Sequence, residues 1–452
     1  MATAYIQNTP DLVGHGNQSL REAALKIIES GLQACDPYHA TRMVVCLQDN
    51  HLNIGDLSLD LEEYEHIFVL GAGKATLPIA QALEDILEAR ISSGIIVLKD
   101  GCCADLNYIA PIYSSHPIPD ENGYLAARSM MAMAKGFTEK DLVITAFTGG
   151  SSALLPLPVD GVTLEEKKKV NEILLACGAD ITQINTIRKH LSKIKGGWLA
   201  KTIFPANIVN LSVSDVVGDM LDYITDPTVP DTSTFADARR VMDEFDLWEN
   251  FPKSASHYLK SGSDINETPK DFAGNSVHTF LLVDSTAACL GAAEKSLELG
   301  FQPMILTTML KGEAREAGIL FASIGKEIHK FDRPIAKPCV IIAGGENTVT
   351  INASHGLGGP NQEFILSVSQ EIAGLDDIVA ASIDTDGSDG PTELAGGIVD
   401  GQSALSAAKK GWNLADTLKH HNATSLLKDT ADGILTGPTG TNVNDLKLLL
   451  LA

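Results

Sequence analysis

A short apolar run that breaks into glycines and resumes with a helical period limits most what this chain can fold into. Residues 67–70 (Ile-Phe-Val-Leu) have the composition of a buried strand, and Gly71-Ala72-Gly73 then turns the chain. From Ala75 onward Leu77, Ile79, Ala80, Leu83, Ile86 and Leu87 recur three or four residues apart, which predicts a helix. A strand that ends in glycines at a helix start leaves backbone N–H groups at the positive end of the helix dipole, where an anion can sit. Lys74 adds a point charge at that junction. An ordinary strand-to-helix turn with a solvated lysine fits the same residues.

The design returns at 141–155. Residues 142–147 predict a strand, and Thr148-Gly149-Gly150-Ser151-Ser152-Ala153 is a second glycine and hydroxyl turn, suited to an anion or a polyol. Two such units predict an α/β fold with a doubly wound sheet, whose ligands sit off the carboxyl ends of its strands. At 452 residues the chain is too long for one core, and a Pro/Gly-containing stretch near 266–275 reads as a linker. We therefore expect domains at 1–270 and 276–452. A helix over 18–36 reads as packing, and Thr163 with Glu166 forms a capping box.

Charge narrows the function. With 34 basic and 58 acidic residues the net charge is −24, which argues against nucleic acid and anionic membrane as partners. Against that background, Arg188, Lys189, Lys193 and Lys195 stand out as a candidate polyanion site; a solvated helix face is the alternative. The seven cysteines are scattered and never spaced C-x-x-C, which reads as reduced thiols in a cytoplasmic protein. The N-terminus lacks a signal-peptide pattern, and no apolar run reaches membrane-spanning length.

Carboxylates cluster where strands end. Asp215 and Asp219 follow a strand at 208–213 and are candidate Mg²⁺ ligands, direct or through water. Asp384, Asp386 and Asp389 follow a strand at 379–383 and fit either a Mg²⁺–phosphate site or a structural Asp turn. His116, in the proline-locked loop 114–120, fits a substrate contact or a structural role equally. Lys74-Ala75 follow Gly73 where a dinucleotide fingerprint needs x-x-G, and no P-loop, HExxH or GxSxG is present. The remaining chemistry is phosphoryl transfer, with cations holding phosphates and a carboxylate readying an alcohol.

These stretches together resemble the class II glycerate 2-kinases, whose C-terminal half is the MOFRL domain. The resemblance rests on Gly-Ala-Gly-Lys-Ala at 71–75, His-Pro-Ile-Pro-Asp at 116–120, Thr-Gly-Gly-Ser-Ser-Ala at 148–153 and Arg-Lys-His-Leu-Ser-Lys-Ile-Lys-Gly-Gly at 188–197. It continues through 211–219, 227–231, Gly-Glu-Ala-Arg-Glu at 312–316, Gly-Gly-Glu at 344–346 and Asn-Gln-Glu at 361–363. It ends with Asp-Thr-Asp-Gly-Ser-Asp-Gly-Pro-Thr at 384–392 and the turn at 436–446. The resemblance implies ATP- and Mg²⁺-dependent phosphorylation of D-glycerate, or a related hydroxy acid, at its 2-hydroxyl. It also implies a Rossmann-like N-terminal domain, a smaller α/β MOFRL domain and a cleft between them. Relatives also carry the label hydroxypyruvate reductase, which makes an NAD(P)H-dependent reductase one alternative and a non-catalytic ligand-binding relative another.

Carried over by position, the resemblance makes Lys74 the catalytic lysine and Asp215 and Asp219 the metal or general-base carboxylates. Gly71, Gly73, Gly149, Gly150, Ser151 and Ser152 would cradle an anion, and Arg188 and Lys193 would neutralise charge. From the second domain, Glu346, Asn361, Asp386, Asp389, Thr439 and Asn442 would bind substrate or nucleotide. The expected partners are a hydroxy acid and a nucleotide, with a homodimer left open. Three positions depart from the pattern: Pro360 stands for an arginine, Thr225-Asp226 for Ser-Gly and Ser115 for a glycine. Pro360 removes a bidentate clamp for carboxylate or phosphate.

Overall fold

The computed structural model describes residues 4–218, 227–272, 274, 276–351 and 355–452. The chain forms two compact units, Pro37–Leu282 and Met1–Asp36 with Val283–Ala452. Helix α1 (Gln18–Ala34) starts where the Asn17 side chain accepts from Leu20 N–H at 3.2 Å.

The unit Pro37–Leu282 begins with a small three-stranded antiparallel sheet within residues 45–60. Its main elements follow as β1 (His66–Ala72), α2 (Thr76–Leu87), β2 (Ile91–Lys99), β3 (Ala110–Ser114), α3 (Glu121–Ala134) and β4 (Asp141–Phe147). Then come α4 (Ser151–Leu154), α5 (Leu164–Ala176), α6 (Ile181–His190), β5 (Asn207–Val213) and the edge strand β6 (Val277–Val283). The strand order is β3-β2-β1-β4-β5-β6, and the first five pair in parallel. That is the Rossmann order, with its switch point between β1 and β4. Both strands there read as nearly continuous apolar runs because helices cover both faces of a parallel sheet. The capping box of Thr163 and Glu166 opens α5 as its sequence predicts.

The other unit contains α7 (Ser285–Glu298), β7 (Gln302–Leu310), α8 (Ala314–Phe331), β8 (Cys339–Gly345) and α9 (Pro360–Glu371). It continues with β9 (Ile378–Asp384), β10 (Gly396–Asp400), β11 (Gly433–Ile434) and β12 (Asp445–Leu451). The sheet order is β7-β8-β12-β9-β10-β11; β7 and β8 are parallel and every other pairing is antiparallel. Buried side chains pack on both faces, Phe321, Phe364 and Ile341 on one, Ile27, Val340 and Leu448 on the other.

These units differ from the expected division at 1–270 and 276–452. The strand expected to open the second domain, β6, is the sixth strand of the first sheet. Residues 1–36 join the C-terminal unit because the apolar face of α1 (Ala24, Ile27, Ile28) packs against Val379, Leu446 and Leu448. Arg21 on that helix is fully buried; its Nε donates to Asp400 Oδ2 at 2.6 Å, and its Nη1 lies 2.8 Å from Asp432 Oδ1. A paired guanidinium buried in this way ties the first helix to strands more than 370 residues later ( |i−j| = 379).

Candidate active site

Five parallel strands place five carboxyl ends on one edge of the first sheet. Three of those ends carry the residues singled out by the sequence: β1 leads to Lys74, β4 to residues 148–152, and β5 to Asp215. The end of β3 supplies a fourth, His116.

The turns after β1 and β4 interlock. Thr148 N–H donates to Ala72 O at 3.0 Å, Lys74 N–H to Gly149 O at 2.9 Å, and Ala75 N–H to Thr148 Oγ1 at 3.1 Å. Gly73 N–H donates to Val97 O at 3.2 Å. The first turn therefore does not offer the uncovered N–H cradle expected of it, because adjacent parallel strands bring carbonyl acceptors within reach. Its glycines serve close approach. Gly73 has φ +136°, and a Cβ there would lie 2.1 Å from Thr148 Oγ1. Gly71 lies within β1, where a Cβ would meet Ala146 O at 2.6 Å.

The second turn is the more open one. Among the described residues, no backbone acceptor takes the N–H of Gly149 or Gly150. Gly150 has φ +88°, and a Cβ built on it would come 3.3 Å from His116 Nε2 and 3.4 Å from Lys74 Cγ. An imidazole and a lysine stem thus converge over one glycine. The loop that carries His116 is tied down by Asp120, whose carboxylate accepts from Ser114 Oγ at 2.8 Å, Ser115 N–H at 3.1 Å and Gly123 N–H at 2.9 Å. Partial burial opposes ionisation of Asp120, but these hydrogen bonds outweigh it and hold the carboxyl below its usual range. Ser151 is buried at the start of α4 with Ser152 beside it, and Asp215 is half-buried two residues past β5. Asp219, Thr225 and Asp226 lie outside the described residues.

The basic segment behaves differently from a single cationic face. Helix α6 ends at His190, so Lys193 and Lys195 lie beyond it rather than one turn along it. Lys189 is buried and lies 3.1 Å from Asp231, and the His190 ring bridges Thr186 O and Glu267 at 2.7 and 2.8 Å. Lys193 pairs with the exposed Asp160 at 2.8 Å. Arg188 Nε donates to Asn171 Oδ1 at 3.2 Å. Sequence reasoning missed Lys167: it is buried, and its Nζ donates to Arg188 O at 3.2 Å and Leu191 O at 3.4 Å, capping the end of α6. Burial first, then the nearby charges of Lys195 and Arg188, push its ammonium down to about 7.

The second unit gathers its sequence-predicted residues on one edge of its own sheet. Strands β8 and β9 both run antiparallel to the intervening β12, so Gly345 and Asp384 each stand opposite Asp445. Glu346 is exposed just beyond β8. Asp386 accepts from Ser388 N–H at 2.8 Å and Ser388 Oγ at 3.1 Å, the arrangement of an Asp turn. Thr439 Oγ1 donates to Thr385 O at 2.5 Å, and Asn442 is buried, accepting from Asn444 N–H at 3.4 Å. Asp389 is buried and accepts from Asn361 N–H at 3.0 Å and Gln362 N–H at 2.9 Å, so it fills the anion position at the start of α9 from within the fold. Asn361 is buried beside it, with Nδ2 donating to Asp445 Oδ1 at 2.7 Å. Pro360 is the first residue of α9, a position whose N–H the helix does not need, so replacing an arginine there leaves the helix intact. Among the described residues no group of three or more His, Cys, Asp or Glu side chains is arranged to hold a metal ion by itself.

Burial pushes the Asp389 carboxyl up to about 7 from an ordinary 3.8, despite the two N–H bonds that favour its charge. The folded chain therefore holds this proton more tightly than the unfolded chain does. Between those two values the unfolded state binds fewer protons, and the contribution of Asp389 to stability falls as pH rises. We expect Asp389→Asn to make the urea midpoint less dependent on pH across that window, its largest gain relative to wild type appearing at the upper end. An unchanged slope would refute the assignment.

The comparisons with known proteins agree with this architecture. The family described as domain of unknown function DUF4147 matches residues 23–260, and the MOFRL family matches residues 339–445. Glycerate 2-kinase from Pyrococcus horikoshii is 40% identical over 96% of this chain and 97% of its own length. D-glycerate 2-kinase from Thermotoga maritima is 37% identical over 96% of this chain and 99% of its own length. The crystal structure of a glycerate kinase from Thermotoga maritima superposes with a TM-score of 0.82 at 36% identity, covering 96% of this chain and 100% of that one. A Pyrococcus horikoshii crystal structure gives 0.79 at 39% identity, with 96% and 98% covered. On this identity, extended over both units, the chain belongs to the class II glycerate 2-kinase family.

Proposed function

We propose that this chain transfers the γ-phosphoryl group of ATP to the 2-hydroxyl of D-glycerate, with Mg²⁺ bound alongside the nucleotide. The observation that carries the reading is the convergence of Lys74 and His116 over Gly150 at the switch point of a parallel sheet. The names of the full-length relatives supply the substrate class.

The roles follow from charge and position. The Lys74 ammonium neutralises the transferred phosphoryl group or the substrate carboxylate, and the N–H groups of Gly149 and Gly150 with the hydroxyls of Ser151 and Ser152 donate to its oxygens. His116, which reaches the same position over Gly150 from the end of β3, orients the same anion. Mg²⁺ asks for one or two carboxylates and completes its shell with water and phosphate oxygens, a demand that Asp215 fits, with Asp219 as the second candidate. Bound there, the ion would supply neutralisation of phosphate charge. From the second unit, Glu346, Asn361, Asp386, Asp389, Thr439 and Asn442 remain candidates for nucleotide or substrate contacts, and the bonds from Asn361 and Gln362 N–H to Asp389 support a shaping role for that edge as well. The seven unpaired thiols support a reducing, cytoplasmic compartment.

A coupled ADP-release assay over three- and four-carbon hydroxy acids tests the reading. We expect Mg²⁺-dependent ADP formation with D-glycerate and a 2-phosphorylated product, and no NADH or NADPH oxidation with hydroxypyruvate. Silence across the panel, with nucleotide binding intact in calorimetry, would mark a non-catalytic ligand-binding relative instead.

A further inference from the structure

We propose that Lys167 and Arg188 form a second anion subsite beside the 149–152 turn, taking the reactant oxyanion that Lys74 does not hold. That oxyanion is the carboxylate of the hydroxy acid or a phosphate of the nucleotide. The proposal rests on reading the turn as a phosphoryl-transfer site. Both reactants are then anions, and one lysine cannot neutralise both.

Most cations on α5 and α6 have a carboxylate of their own. Lys168 pairs with Glu165 at 2.7 Å, Lys169 with Glu172 at 3.1 Å and Lys189 with Asp231 at 3.1 Å. Lys167 and Arg188 form no such pair with any described residue, in a chain with 58 acidic residues. Lys167 is 3% exposed, and its ammonium donates to Arg188 O and Leu191 O, which leaves the third N–H unused. Arg188 is half-buried and spends its Nε on Asn171 Oδ1. Among the described residues nothing accepts from its two terminal nitrogens. Lys195 is buried as well, and its charge together with that of Arg188 reaches Lys167. A cap for α6 needs donors, but it does not need like charges gathered out of water, which is costly without a counter-charge. An oxyanion supplies that counter-charge, accepting in parallel from the guanidinium fork and once from the ammonium.

The main chain fixes this cluster against the proposed site. Lys193 N–H and Ser192 Oγ donate to Leu157 O at 2.9 and 3.3 Å, and Pro158 and Ser192 form an antiparallel bridge. Residues 157 and 158 follow directly on α4, the helix that the 149–152 turn opens. From α5, Lys168 stands close enough to Asp120 to help hold its carboxyl down, so this helix also adjoins the loop of His116.

Calorimetry of the full chain at about pH 8, in two buffers of different ionisation enthalpy, tests the subsite, with D-glycerate and ADP–Mg²⁺ titrated separately. Both ligands are fully ionised there, so proton uptake reports the protein. The groups facing the Lys167 ammonium are Arg188 on α6 and Lys195 beyond it; free, it titrates at about 7 and is mostly neutral at this pH. A bound anion favours its charged form, so the ligand that fills the subsite takes up roughly one proton, and its affinity falls as pH rises. We expect Lys167→Met to abolish that uptake and weaken the same ligand about 10–100-fold, the loss of one charged hydrogen bond. Uptake with D-glycerate identifies the carboxylate as the occupant, and uptake with ADP–Mg²⁺ the phosphate. If Lys167→Met fails to fold, Arg188→Gln decides, with a similar loss expected for the same ligand. No uptake with either ligand, uptake that survives Lys167→Met, or unchanged affinity in Arg188→Gln would each overturn the subsite. ADP release measured alongside keeps the two readings apart: turnover without uptake sinks the subsite alone, and uptake without turnover sinks only the catalytic reading.

Discussion

Lys74→Met lowers turnover of ADP release with D-glycerate by about 10²–10³-fold, the usual loss when one preorganised electrostatic donor is removed, and leaves thermal unfolding where it was. The substitution keeps an unbranched stem of similar length, so the side chain still packs near Gly150. It removes only the ammonium. The turn itself is held by a main-chain bond from Lys74 N–H to Gly149 O and by one from Ala75 N–H to the Thr148 hydroxyl, neither of which uses the lysine side chain. The split between constants then says which oxygens the ammonium grips. If it steadies the transferred phosphoryl group, kcat falls and KM holds; if it anchors the substrate carboxylate, KM rises instead. Lys74→Arg restores little, because a planar fork does not occupy the position of a compact ammonium. Activity within about threefold of wild type for the methionine variant, well short of the loss of one oxyanion donor, would remove Lys74 from the chemistry.

The parts of this architecture that are local in sequence were legible. The change from strand composition to a 3.6-residue period at 67–87, and again at 142–155, marks the two turns that meet at the switch point, and the Thr163 capping box needs only four residues to be recognised. Partners distant in sequence were not. The amphipathic pattern of α1 shows that it buries a face, but not that the face lies on β9 and β12. Strand β6 has the same composition whichever sheet it joins. The basic segment 188–195 shows four charges and hides their partners: Lys189 is bound to Asp231, some forty residues away ( |i−j| = 42). The sequence shows Asp389 at a strand end without revealing that the N–H groups of Asn361 and Gln362 already claim it. One further signal does lie in the sequence. A single lysine inside the apolar run of β12, DLKLLLL, has to be paired if the strand is central.

That lysine carries the largest stability effect we expect: Lys447→Met should cost about 3–5 kcal/mol, the range for leaving a buried partner charge uncompensated. Lys447 is fully buried in the middle of the second sheet, with Nζ 2.6 Å from Asp445 Oδ2 and 3.1 Å from Asn361 Oδ1. Asp445 also accepts from Asn361 Nδ2 at 2.7 Å and from Asn347 N–H at 3.3 Å, and Asn361 Nδ2 reaches Asp389 Oδ1 at 3.2 Å. Ser382 Oγ donates to Asn361 Oδ1 as well. Asn361 therefore bridges the two buried carboxyl groups, and the ammonium pairs with Asp445. Without the ammonium, Asp445 is left with no countercharge in a region of low dielectric, where hydrogen bonds alone do not replace it. The loss should appear as faster hydrogen exchange throughout β12 and β9, an observable that stays defined even if the two units unfold separately. It should shrink when the carboxylate is removed too, so Lys447→Met with Asp445→Asn recovers much of the deficit. A methionine variant whose β12 amides exchange within a factor of ten of wild type, about 1.4 kcal/mol, would show that the asparagine network satisfies Asp445 without the lysine, and that β12 tolerates a polar residue for reasons other than charge pairing.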